Sequence, residues 1–154
     1  MARSIFLSDP EATDQMARAV AVHLKPGDTI LLEGDIGAGK SHFARAVIRA
    51  IVGEAEDVPS PTFTLVQVYD GPDCEIWHSD LYRLTSVAEV DELGLFEAFE
   101  TAICLVEWPD RLEGEAPAAA LRLSLSTPAD NIGRRAEFRY SAPRWHPVVD
   151  ALDV

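Results

Sequence analysis

Short apolar runs and helical stripes alternate along the first half of the chain. Thr29-Ile30-Leu31-Leu32-Glu33 is a continuous apolar run suited to a buried parallel strand, and Phe43, Val47, Ile48 and Ile51 recur at helical spacing over Ser41 to Val52. Upstream, Ser4 to Leu7 predicts a first strand. Asp9 then caps a helix with Pro10 at its first position, in which Thr13, Met16, Ala17, Val20, Ala21 and Leu24 share one face. Lys25-Pro26-Gly27 stops that helix and turns the chain into the Thr29 strand. Gly53 closes the next helix, and the acidic, proline-bearing stretch Glu54 to Pro61 reads as a loop and a candidate mobile segment.

The second half brings in antiparallel structure. Phe63 to Tyr69 and Cys74 to Ser79 predict two strands joined by the turn Asp70-Gly71-Pro72-Asp73. Ser86-Val87-Ala88-Glu89 is a capping box that opens a helix ending at Gly94, followed by a further turn or two over Leu95 to Phe99. Thr101 to Val106 is a second buried run. Leu121, Leu123 and Leu125 alternate with polar residues, as do Ala136, Phe138 and Tyr140, which predicts a second antiparallel pair. Trp145, Val148, Val149 and Leu152 give the tail helical spacing, with Pro147 near its start.

Between the Thr29 strand and the Ser41 helix stands Gly34-Asp35-Ile36-Gly37-Ala38-Gly39-Lys40-Ser41, which fits the phosphate-loop pattern G-x-x-x-x-G-K-[S/T] at every fixed position. Strand, glycine loop and helix occur in the order the chemistry requires. Glycines allow the backbone to approach a polyphosphate, so that successive N–H groups point inward at the positive end of a helix. Lys40 adds a mobile charge near the β and γ phosphates, and the Ser41 hydroxyl can take one position on Mg²⁺. The pattern as a whole predicts one α/β domain over residues 1–154. The expected fold is a P-loop NTPase domain with a mixed central sheet, a parallel core, antiparallel hairpins and helices on both faces.

Composition narrows the class. At 154 residues and 47% hydrophobic, the chain suits one core rather than two, and no apolar run approaches a membrane span. A cytoplasmic protein is expected. The two cysteines, Cys74 and Cys104, lie in apolar segments without metal-ligand spacing and are expected to be buried thiols. A net charge of -13 argues against a direct grip on nucleic acid and favours docking on a basic face of a protein partner, or plain solubility.

Two acidic strand ends support the loop. Ala102-Ile103-Cys104-Leu105-Val106-Glu107 ends in a carboxylate at the sheet edge where the loop should lie; Glu107 can hold Mg²⁺ directly or through water, or polarise the attacking water. Trp108 reads as packing beside it, with a ring that orders the site as the alternative. His78 and Asp80 fall on one side of a strand by its two-residue period. Asp80 is a candidate metal or water-positioning carboxylate, with a turn cap as its alternative, and His78 a hydrogen-bonding support for it, with a satisfied core histidine as its alternative. In Ser60-Pro61-Thr62-Phe63-Thr64, the hydroxyls of Thr62 and Thr64 share a strand face and form a candidate nucleotide-sensing switch.

Gly-Asp-Ile-Gly-Ala-Gly-Lys-Ser at 34–41, Ser-Pro-Thr-Phe-Thr-Leu-Val at 60–66, His-Ser-Asp-Leu-Tyr-Arg-Leu at 78–84 and Cys-Leu-Val-Glu-Trp-Pro at 104–109 together resemble the TsaE family, formerly called YjeE. The resemblance covers most of the chain and is weakest in the C-terminal hairpin and tail. It implies a bacterial P-loop ATPase that serves synthesis of the threonylcarbamoyl modification on a tRNA adenosine, with TsaB and TsaD as partners. It also implies that Lys40 meets the phosphates, Ser41 and Glu107 hold Mg²⁺, Asp80 supports metal or water, and Thr62 and Thr64 lie in a switch-like segment. Residues 34–41 would then cradle ATP, with Thr13 and Arg134 approaching it from outside the loop. Two positions depart from the family's habit: Ser41 and His42 stand where it often has threonines, so His42 offers only its backbone N–H to an α-phosphate.

Competing readings share parts of this site. A small-molecule P-loop kinase would need an acceptor pocket and a basic lid, for which Arg83, Arg111, Arg134 and Arg135 are the available charges. A GTPase would need an Asn-Lys-x-Asp segment, which is missing; the sole asparagine is Asn131. A nucleotide-dependent binding module would hydrolyse ATP too slowly to matter alone.

Overall fold

In the computed structural model, which describes residues 1–152, every apolar run named above becomes a strand of one sheet. The strands are β1 (Ala2–Leu7), β2 (Thr29–Glu33), β3 (Val66–Asp70), β4 (Glu75–Asp80), β5 (Ile103–Glu107), β6 (Leu121–Ser126) and β7 (Arg134–Arg139). Their order is β1-β7-β6-β2-β5-β4-β3. The four central strands β6, β2, β5 and β4 are parallel, while β7 and β1 on one side and β3 on the other pair antiparallel. This is the mixed α/β sheet with parallel core and antiparallel hairpins that the patterning predicts.

The continuous apolar runs bury both strand faces, as a sheet covered on two sides requires. Ile30, Leu32, Ile103 and Leu105 point into one core, closed by α1 (Pro10–Ala21), α2 (Lys40–Val52) and α5 (Trp145–Asp150). Leu31, Cys104 and Val106 point into the other, closed by α3 (Val87–Glu92), α4 (Leu95–Thr101) and a 3-10 turn at Pro109–Leu112. Helix starts follow the sequence closely: Asp9 Oδ1 accepts from the Ala12 N–H at 2.9 Å, and Ser86 Oγ from the Glu89 N–H at 3.4 Å.

Three expectations need correction. The Phe63–Tyr69 run is a strand only from Val66. Pro61 opens a turn closed by the Leu65 N–H on the Pro61 carbonyl at 2.7 Å, and Leu65 has φ +69°, so residues 61–65 do not extend. The helix after Gly94 has the expected further two turns but runs through Thr101, which moves the start of β5 from Thr101 to Ile103. Of the cysteines only Cys104 is buried; Cys74 is half-buried, and burial raises both thiols, Cys104 to about 12.

Two arginines fasten the C-terminal helix. Arg3 donates to the Val149 and Leu152 carbonyls at 2.7 and 2.8 Å, and Arg144 pairs with Asp28 at 2.6 Å. Trp145 between them is fully buried, and its Nε1–H donates to the Ala119 carbonyl at 2.7 Å. Trp145→Ala removes that ring and orphans the carbonyl, so an expected loss of about 3–5 kcal/mol follows from cavity formation. Thermal melting should fall by roughly 10 °C for a chain of this size. A shift under about 2 °C would mean that α5 contributes little to the core.

Candidate functional site

The phosphate loop sits where its strand delivers it, at the carboxyl edge of the sheet. Gly34 leaves β2 at φ +145°, with its α-carbon so close to the Leu125 carbonyl of β6 that a side chain has no room. Gly39, at φ +107°, turns the chain into α2, which begins at Lys40. Between them the Ala38 N–H donates to the Asp35 carbonyl at 3.0 Å, which closes the loop into a curl at the helix N-terminus.

Register places the acids beside this curl. In the parallel ladder Leu32 lies opposite Glu107, and Glu107 opposite Asp80, so β2, β5 and β4 end level with one another. Glu107 is 2% exposed and its two oxygens receive the Ser41 hydroxyl at 3.0 and 2.9 Å. His78 Nε2 lies 2.7 Å from Glu107 Oε2. His78 therefore supports Glu107 and not Asp80, because the strand register carries the imidazole across to β5. Its Nδ1 is buried with no partner among the described residues. Asp80 makes the turn cap and also meets the Thr62 hydroxyl. Oδ1 accepts from the Tyr82 N–H at 3.0 Å as a local turn cap, while Oδ2 accepts from the Thr62 hydroxyl at 3.4 Å.

Lys40 crosses this space. Its ammonium bonds the Gly34 carbonyl and sits 3.8 Å from the centre of the Trp108 ring, a cation–π seat. Burial pushes its pKa below the usual lysine value, while Glu107 and Asp80, then Asp35 and Asp110, pull it back up. Trp108 is thus part of the site and not packing alone, held at φ +59° with the Tyr82 ring tilted against it at 4.7 Å. Sequence gave little sign of the Tyr82 contact beyond its place two residues after Asp80.

Two clefts flank the loop. One, of about 400 Å³, is bordered by Lys40, Ser41, Thr62, Asp80, Arg83 and Glu107. The other, of about 300 Å³ on the far side, is bordered by Thr13, Gly39, His42, Leu125 and Arg134. Thr13 and Arg134 thus share one cleft beside the loop, and Arg134 donates to the Gly37 carbonyl at 3.4 Å. Thr64 is not brought to either. It is exposed in the turn and accepts from Gln67 Nε2 at 2.8 Å, so Thr62 and Thr64 do not share a strand face. The His42 side chain reaches back to α1, where Nε2 lies 2.8 Å from Asp14 Oδ1, a pairing not foreseen from sequence. Ile36 stands 77% exposed between the loop glycines.

The first cleft offers an ammonium and hydroxyl and carboxylate oxygens beside the start of α2, a set that suits a polyphosphate with a hard divalent cation. No three His, Cys, Asp or Glu side chains gather as a metal cage among the described residues.

The family profile described as threonylcarbamoyl adenosine biosynthesis protein TsaE matches residues 7–136. A tRNA threonylcarbamoyladenosine biosynthesis protein TsaE from Rickettsia bellii is 41% identical over 120 residues, 78% of this chain and 83% of the relative. The protein of that name from Bacillus subtilis is 36% identical over 145 residues, 94% of this chain and 89% of the relative. A third, from Rickettsia conorii, is 44% identical over 104 residues, 68% of this chain and 59% of the longer relative. The crystal structure of Bacillus subtilis YdiB superposes with a TM-score of 0.80 at 28% identity, covering 99% of this chain and 94% of that one. Four sequence blocks, their meeting at one sheet edge and these matches agree: the chain belongs to the TsaE family.

Proposed function

We propose that this chain binds and hydrolyses ATP with Mg²⁺ and serves tRNA threonylcarbamoyladenosine synthesis by regulating or resetting a TsaB–TsaD complex. The relatives' names support the tRNA-modifying role. The nucleotide reading rests on one observation above others: Ser41, the last residue of the phosphate loop, hydrogen-bonds the buried Glu107 at the end of the neighbouring strand.

Each residue then has a task. Lys40 leaves the Gly34 carbonyl for the β and γ phosphates, and the loop N–H groups take the remaining oxygens. Ser41 and Glu107 hold Mg²⁺ directly or through water; when bound, that ion neutralises charge on the phosphate oxygens. His78 fixes the Glu107 carboxylate, and Asp80 orients water from the adjoining strand end. The second cleft, walled by Leu125 and the loop backbone, gives a purine base an apolar slot with Thr13 and Arg134 at its rim. A kinase reading is less favoured, because Arg111 and Arg134 spend donors on the carbonyls of Tyr82, Gly133 and Gly37 and not on a lid. The net charge of -13 fits docking on a protein and disfavours gripping tRNA.

Reconstituted tRNA modification with TsaB and TsaD, with and without this chain, tests the reading while ATP turnover is followed. Modification should depend on the chain, and turnover should rise about tenfold or more when the partners are added, as for partner-stimulated P-loop proteins. Modification indifferent to the chain would overturn the role, and absence of calorimetric heat with MgATP would overturn the nucleotide reading.

A further inference from the structure

The geometry points to Arg83 as the catalytic cation that stabilises the γ-phosphoryl group during ATP hydrolysis, supplied by this chain itself; the assignment rests on the nucleotide reading above.

Arg83 is the one arginine that borders the phosphate-side cleft among the described residues, alongside Lys40, Ser41, Thr62, Asp80 and Glu107. Its backbone is firmly placed, three residues beyond Asp80. Leu81 and Leu84 on either side of the Tyr82-Arg83 pair are buried; the Leu81 N–H donates to the Glu107 carbonyl at 3.1 Å and the Leu84 N–H to the Leu81 carbonyl at 3.0 Å. Arg111 adds a bond from its guanidinium to the Tyr82 carbonyl at 3.2 Å. The turn that carries Arg83 is therefore tied to the same strand end that presents Glu107.

The guanidinium itself is uncommitted. In a chain with 26 acidic and 13 basic residues, it pairs with no carboxylate among the described residues. It rests instead on the Phe63 ring, 4.5 Å from its centre, and that ring is otherwise 80% exposed. Such an aromatic shelf holds a planar cation without consuming its N–H donors. Phe63 follows Thr62, whose hydroxyl meets Asp80, so the shelf belongs to the same Pro61–Leu65 turn that supplies Thr62 to the cleft.

The reaction creates the need for such a group. Water oxygen bonds the γ-phosphorus as the bond to the β–γ bridging oxygen breaks; the electron pair leaves on ADP, and the water proton passes to phosphate and solvent. Charge spreads over the equatorial phosphoryl oxygens and onto the leaving oxygen. Lys40 is one point charge; a fork of N–H donors meets two such oxygens at once.

Calorimetry on the full chain with MgATP and with ADP–aluminium fluoride separates ground state from transition state for wild type, Arg83→Ala and Arg83→Lys, with melting temperature as the fold control. Arg83→Ala should keep MgATP affinity within about threefold and lose about 100-fold or more toward ADP–aluminium fluoride, with turnover falling in step. Arg83→Lys should recover only part of that loss, because it restores charge without the fork. Equal losses on both ligands, or none on either, would overturn the assignment while leaving nucleotide binding intact. A wild-type chain that binds neither ligand would overturn the nucleotide reading on which it rests.

Discussion

Replacing Lys40 by alanine is expected to weaken MgATP binding by about 100-fold or more, with the fold retained. The size follows from the charge balance at the cleft. Glu107, Asp80, Asp35 and Asp110 all act on the Lys40 ammonium, so without it a triphosphate meets an acidic mouth. Low exposure, at 5%, keeps solvent from making good the loss. The fold should tolerate the change. Burial already pushes the ammonium's pKa down, which means that holding the charged form there costs the free protein energy. The same shift has a pH consequence: the charged form binds phosphate, so affinity should decline on the alkaline side at a lower pH than an exposed lysine would give. Titration calorimetry across neutral to alkaline pH, with thermal melting of both proteins, reads all three effects. Wild-type affinity in Lys40→Ala would remove the lysine, and the loop with it, from phosphate binding.

How far the site was legible in sequence depends on whether its parts are local. The phosphate loop and its flanking strand and helix are read from consecutive residues, since glycine conformation, helix start and apolar run all reside there. Glu107 and Asp80 were legible as strand-end acids. Their closeness was not, because it depends on β5 lying between β2 and β4 in parallel register, and nothing in a single sequence states strand order. The same gap misassigned His78. Strand periodicity put it on the side of Asp80, but its partner is a residue of another strand. The Thr62–Thr64 segment failed for a different reason: two hydroxyls and an aromatic look strand-like, and Pro61 together with Leu65 at positive φ overrode that local preference. Lys40 over Trp108, Arg83 over Phe63 and His42 against Asp14 are likewise meetings of side chains from separate elements.

Glu107→Ala is expected to leave nucleotide association without Mg²⁺ within a few-fold of wild type and to cut Mg²⁺-dependent turnover by about 100-fold or more. In the proposed binding mode the phosphate contacts come from the loop N–H groups and Lys40, and none of these needs the carboxylate. Removing it also lifts a negative charge from opposite Asp80, which favours an incoming anion. The metal, by contrast, loses the one acid that already holds the Ser41 hydroxyl. Alanine has a structural cost as well. His78 is 1% exposed and its Nδ1 has no partner among the described residues, so losing Glu107 strands the whole ring at about 1–3 kcal/mol. Glu107→Gln separates the two losses. The amide keeps the volume and can still meet Nε2, so melting should return close to wild type while turnover stays low, since a neutral carbonyl is a poor substitute for a carboxylate on a hard cation. Turnover that returned together with stability in Glu107→Gln would show the residue to be a support for His78 and Ser41, and the metal would then have to be held by Asp80.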